Sequence, residues 1–106
     1  MRKITEASVN AFKNARNFKT SNTEVYVWGE NYTQFYLHGH QIAQIRGNVL
    51  LLDDCGRQTN TTKERLNWIL REFGLGYIYQ KNRTWYFVNA NGEEEKREKR
   101  KTFDLN

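Results

Sequence analysis

From Thr23 to Asp53 apolar and polar residues alternate through the segments EVYVW, TQFYLHG, HQIAQIR and NVLLLD, broken at Gly29-Glu30-Asn31, Gly39 and Gly47-Asn48. A period of two with short turn signals between the runs predicts a four-stranded antiparallel meander. On either side of this stretch the spacing lengthens. Val9, Ala11, Phe12 and Ala15 gather on one helical face while Lys13, Arg16 and Lys19 fall elsewhere, which predicts a first helix from Glu6 to about Asn17. Thr5 is placed to cap that helix, with Ile4 and Val9 spaced as a hydrophobic staple. Leu66, Ile69, Leu70 and Phe73 recur at the spacing of a buried face and predict a second helix from about Thr62 to Phe73, stopped by Gly74. Thr61 and Glu64 have capping-box spacing at its start. Two more strands follow, GYIYQ and TWYFVN, joined at Lys81-Asn82-Arg83, and TFDL alternates as a final edge strand.

These elements predict a single small α+β domain over residues 1–106. It has two layers, an antiparallel sheet with both helices packed on one face, in the order αββββαββ with the final edge strand added. The segment NGEEEKREKRK, at 91–101, carries nearly balanced charges and is expected to be a solvated excursion of a hairpin. A chain of 106 residues holds one modest core, and 14% aromatic content argues for a folded protein. The formal charge of +5 favours polyanions or acidic protein surfaces as partners. Cys55 is the sole cysteine, so no disulfide framework is expected and a reducing compartment is the default. No apolar run has signal-peptide or membrane-spanning length, which gives the expectation of a cytoplasmic protein with no membrane partner.

The stretches MRKITEASVNAFKNARNFKTSNTEV, LHGHQIAQI, TNTTKERLN, IYQKNRTWY and the closing KTFDLN together resemble a group of short proteins encoded by tailed bacteriophages. The resemblance covers most of the chain, and NTTKERLN with IYQKN is its most specific part. It implies a phage product acting in the host bacterial cytoplasm, and it brings no catalytic or binding residue with it.

Catalytic and metal chemistry find little purchase. His38, His40, Asp53, Asp54 and Cys55 are ligand types, but the histidines flank Gly39 at a turn and the cysteine has no paired-ligand spacing. Asp53 and Asp54 are adjacent at a strand end, point to opposite sides, and are expected to initiate the turn into Gly56. The expectation is therefore a protein that is not an enzyme and holds no metal or other cofactor. At the start of the second helix Arg57, Asn60, Thr62 and Lys63 form a candidate anion site, where backbone donors and the helix dipole favour a phosphate; simple capping competes with it.

The aromatic residues carry more. With Val25, Val27, Phe35, Leu37 and Ile78 turned to the helices, alternation sends Tyr26, Trp28, Tyr36, Tyr77 and Tyr79 to the opposite sheet face, joined by Tyr86 or Trp85 according to register. Bordered by Arg46, Lys81 and Arg83, this is expected to form a stacking platform for unpaired bases, with Trp68 exposed separately near Arg65 and Arg71. The bland alternative is that the tyrosines pack on one another, on a loop or on a second copy. Two function classes follow. One is nucleic-acid binding, with single strands favoured. The other is a phage effector that occludes a host or phage protein, such as a defence or transcription protein, through the same Tyr, Trp and Arg surface. Monomer and homodimer both remain open.

Overall fold

The computed structural model describes residues 2–95 and 100–105. In chain order its elements are α1 (Arg2–Lys13), β1 (Phe18–Lys19), β2 (Thr23–Val27), β3 (Tyr32–Leu37), β4 (His40–Arg46), β5 (Val49–Asp53), α2 (Asn60–Glu72), β6 (Gly76–Lys81), β7 (Thr84–Asn89), β8 (Glu94–Glu95) and β9 (Arg100–Asp104). The α+β class and the helix–strands–helix–strands order are those the hydropathy pattern predicts.

The strands form two antiparallel sheets rather than one: six strands ordered β1-β2-β3-β4-β5-β9 and three ordered β6-β7-β8. The division has a local cause at each edge. The free edge of β5 is taken by β9, the predicted final strand, which pairs Leu50 with Phe103 and Leu51 with Thr102. The free edge of β6 is closed by the Asn67 side chain of α2, which donates to the Ile78 carbonyl at 2.8 Å and accepts from the Ile78 N–H at 2.6 Å. Neither edge is then open to the other.

Val25, Phe35, Leu37, Ala43, Leu50 and Leu52 line the inner face of the large sheet, and α1 and α2 pack there side by side. Ile78, Trp85 and Phe87 of the small sheet turn into the same core, where Phe87 meets the Phe103 ring edge-on at 5.6 Å. Leu66, Ile69 and Leu70 are fully buried, and Phe73 packs partly buried against them. Gly76 opens β6 because only glycine fits: its φ is +130° and an added Cβ would lie 2.0 Å from the Val88 carbonyl oxygen.

Both helix starts differ from expectation. Thr5 does not cap α1; it lies inside the helix, fully buried, and its hydroxyl bonds Glu64 at 2.6 Å and also Arg65. The helix also stops earlier, at Lys13, with Ala15 exposed in the left-handed region (φ 53°) while Arg16 N–H reaches back to the Ala11 carbonyl. No glycine marks that stop, so the pattern overran it. In α2 the cap is Thr59, whose hydroxyl accepts from Thr62 N–H, and Thr61 is interior. Glu64 is unavailable for a capping box because its carboxylate is engaged with Thr5 and Arg65. The α2 C-terminus follows the predicted glycine stop: Gly74 N–H bonds the Arg71 carbonyl and Leu75 N–H the Leu70 carbonyl.

Arg65, expected beside an exposed Trp68, is instead buried between α1, α2 and β2, where it bonds Thr5, Glu64 at 2.8 Å and Thr23 at 3.3 Å. Burial lowers the guanidinium pKa and the adjacent Glu64 carboxylate opposes that shift. Trp68 is half-buried, with Arg71 over its ring at 5.4 Å.

Candidate functional site

The helices cover the inner face of the large sheet, and its outer face carries the side chains that alternate with the core. On β2 and its C-terminal extension these are Glu24, Tyr26 and Trp28; on β3 they are Tyr32, Gln34 and Tyr36. Trp28 is 61% exposed and Tyr26 39%. Tyr26 and Tyr36 meet edge to face at 5.7 Å, and the Arg46 guanidinium lies 4.6 Å from the centre of the Tyr32 ring. The Tyr26 hydroxyl donates to Glu24, which raises its pKa, with partial desolvation adding to the effect.

A chain of amides runs between these rings. The Trp28 indole N–H donates to Gln34 Oε1 at 2.7 Å, and the Tyr36 hydroxyl donates to the same oxygen at 3.2 Å. Gln34 Nε2 donates to the Tyr32 hydroxyl at 2.7 Å, which in turn donates to Gln44 Oε1 at 3.2 Å. Gln41 Nε2 donates to Gln44 Oε1 at 2.6 Å. Beyond Gln41 and Gln44, a pocket of about 240 Å³ is lined by these two residues together with Leu51, Asp53, Cys55 and Arg100. Arg100 donates from Nε to Asp53 at 2.8 Å, which neutralises the carboxylate on that side. At the other end of the face an open groove of about 460 Å³ runs along β1 and β2, lined by Phe18, Val25, Tyr26, Val27 and Trp28.

Residues 1–104 match the family model described as Kyanoviridae Gp96 protein. The chain belongs to that family, which is a family of cyanophage proteins. No curated protein and no solved structure matches it. Among the described residues, no helix of this Gp96-family protein is long and apolar enough to cross a membrane.

In the Gp96-family chain the aromatics expected on one platform occupy two surfaces, because the strands that carry them belong to different sheets. Tyr26, Trp28 and Tyr36 share the face just described. Tyr77, Tyr79 and Tyr86 lie on the outer face of the small sheet, where Tyr79 and Tyr86 stack at 5.2 Å and 23° and Tyr77 is 52% exposed. The pairing of Tyr79 with Tyr86 settles the open register: Tyr86 faces out and Trp85 is buried. Tyr79 donates to Glu94, which pushes its pKa up to about 12. Lys81 and Arg83 belong to this second sheet, Lys81 at the end of β6 and Arg83 within the β6–β7 turn, where Asn82 and Arg83 are both left-handed.

Three of the four candidate anion-site residues contact other side chains. The N–H of Thr62 is committed to the Thr59 hydroxyl and its own hydroxyl lies 2.9 Å from the same atom. Arg57 turns to His40 at 3.3 Å, Lys63 reaches the Gln80 side chain at 3.5 Å, and Asn60 is exposed as the first residue of α2. Asp53 and Asp54 do initiate the turn, accepting from the N–H groups of Cys55 and Gly56 at 2.8 and 2.7 Å. Cys55 is partly exposed, and its thiol donates to the Gln41 carbonyl at 3.1 Å. Of the NGEEEKREKRK segment, residues 96–99 lie outside the described residues, while Glu95 bonds Lys101 at 2.8 Å.

Gln34, Gln41 and Gln44 escaped sequence reasoning altogether. Gln41 and Gln44 had a signal in HQIAQIR, where two apolar residues in succession between two glutamines break strict alternation. The structure shows a bulge there: Phe35 pairs with Ala43 and Tyr36 with Gln41, so Ile42 is the extra residue.

Proposed function

We propose that this phage protein is a binding module without a catalytic step, which holds single-stranded nucleic acid on the outer face of its large sheet. The observation that carries the reading is the exposure of Trp28 and Tyr26 on a sheet face whose helices all lie on the other side, with Arg46 bordering it over the Tyr32 ring. Flat rings on an open sheet accept bases of any sequence, and a flanking arginine meets the phosphates that link them. The net charge of +5 is consistent with a polyanionic partner.

The test is fluorescence anisotropy with labelled single-stranded oligonucleotides across a salt series. Trp28→Ala is expected to weaken binding by about 1–3 kcal/mol with little change in salt slope. Arg46→Gln is expected to lower the slope by roughly 0.7, one lost phosphate contact. No binding by the wild-type protein at low salt refutes the reading.

A second reading, an effector that occludes a host or phage protein, draws on the apolar groove beside Tyr26 and Trp28, since these residue types anchor protein interfaces. Affinity purification from infected cells with and without nuclease separates the two: a partner retained after nuclease treatment favours the protein.

A further inference from the structure

The amide chain on the outer face has a direction. An indole N–H can only donate, so the Gln34 atom facing Trp28 must be its oxygen, and its Nε2 must face Tyr32. The Tyr32 hydroxyl, accepting from Gln34, has its own proton left for Gln44. Gln44 therefore presents its oxygen inward, where Gln41 Nε2 also donates to it at 2.6 Å. Both hydrogens of Gln44 Nε2 are left without a partner among the described residues, and Gln44 lines the 240 Å³ pocket. Arg100, at the same pocket, spends Nε on Asp53, and its two terminal nitrogens have no partner among the described residues. Gln41 spends Nε2 on Gln44 and turns its Oε1 to Gln34 Nε2 at 3.4 Å, so its part is to hold the Gln44 amide in place.

We infer that this pocket is a base-reading subsite for the imide edge of thymine or uracil, two carbonyl oxygens flanking one N–H, whose oxygens are read by Gln44 and Arg100 as donors. The inference rests on the nucleic-acid reading above and deepens it. Adenine and cytosine each present an exocyclic amino group, which would set donor against donor at Gln44 or Arg100. Trp28 thus has two separable parts: its ring stacks, and its N–H orients the amide chain that ends at Gln44.

The experiment compares labelled oligo(dT), oligo(U), oligo(dA) and oligo(dC) of one length by anisotropy at fixed salt. The wild type is expected to prefer oligo(dT) or oligo(U) over oligo(dA) on the order of tenfold, the low end of what a two-point edge contact supplies. Weak self-stacking of oligo(dT) also favours it, so the deciding quantity is the change in that ratio on substitution. Gln44→Met, similar in length and without the amide, is expected to bring the ratio to the value self-stacking alone leaves while oligo(dA) affinity stays within about twofold. Trp28→Phe keeps a ring and removes the N–H, and it is expected to shrink the ratio as well. Both oligo(dT) and oligo(U) are expected to bind above oligo(dA), and a difference between the two tells DNA from RNA as the source. A wild-type ratio near one, or a ratio unmoved by both substitutions, overturns the subsite and leaves the stacking reading standing. Failure of every oligonucleotide to bind overturns the function itself.

Discussion

Asn67 tests how the small sheet is held to the rest of the molecule. Its amide bridges the outer edge of β6 through two short bonds to the same residue, 2.8 Å to the Ile78 carbonyl and 2.6 Å from its N–H. Ile78 is only 4% exposed, so water is a poor replacement for either bond. Asn67→Ala leaves two backbone groups unsatisfied at about 1–3 kcal/mol each when dry, and partial access of water through the half-buried Asn67 position reduces the sum to about 2–4 kcal/mol. Asn67→Asp divides the pair: the acceptor survives, while the donor is replaced by a second oxygen aimed at the Ile78 carbonyl. It is therefore expected to cost as much as the alanine above the carboxylate pKa and less below it. Guanidinium denaturation read from the midpoint at unchanged slope measures both, and amide exchange at β6 and β7 localises the loss. A cost below about 0.5 kcal/mol for Asn67→Ala, the range of an ordinary surface change, with β6 protection unaltered, would mean that the apolar side chains alone hold this edge.

Thr59→Ala is expected to cost about 1 kcal/mol by removing the α2 cap, whereas Thr61→Ala stays within about 0.5 kcal/mol, both read from denaturation midpoints. Ala15→Gly is expected to stabilise the protein by about 0.5–1 kcal/mol, because an exposed alanine in the left-handed region carries about 1–2 kcal/mol of strain and glycine returns part of that as chain entropy. A lowered thermal midpoint would refute it. Tyr79 is expected to ionise near its raised pKa of about 12, against 10.0 for a free phenol. The bond to Glu94 favours the neutral phenol, so its stabilising effect is complete below the unfolded pKa and is lost as pH rises through about 12. In alkaline absorbance titrations the difference between wild type and Tyr79→Phe should show that late step, and a step near 10 would show the bond is not made.

Elements defined by spacing and punctuation were legible in the chain. The meander from β2 to β5 and the hairpin of β6 and β7 lie within a residue or two of their predicted spans, because alternation and turn residues agree there. What stayed hidden depends on which of several polar neighbours wins a partner. Thr5, Thr59 and Thr61 are all plausible caps by type, and only the approach of Arg65 and Glu64 across the α1–α2 interface decides that Thr5 is spent in the interior. A charged residue beside a buried helical face reads as solvated until a partner set is known, which is why Arg65 was misplaced. The division of the sheet hid for a similar reason: adjacency of β5 and β9 spans most of the second half of the chain, and alternation within a strand says nothing about its neighbour.

The bulge in β4 joins the fold to the candidate site. Gln41 and Gln44 are three positions apart, an odd separation that in a regular strand sends their side chains to opposite faces. The extra residue Ile42 restores them to the same face while Ile42 and Ala43 both turn into the core, each 2% exposed. Without it, either Gln41 would be driven against the helices or two apolar side chains would not both be buried. One inserted residue thus satisfies the core and completes the amide chain from Trp28 to the pocket. The amide chain is ordered as the sheet forms, so under the proposed reading the entropy of arranging its members falls on folding rather than on binding. A solvent-facing sheet covered with lysine and glutamate would have offered charge without that fixed direction, which is the physical reason to place function on this face of the molecule.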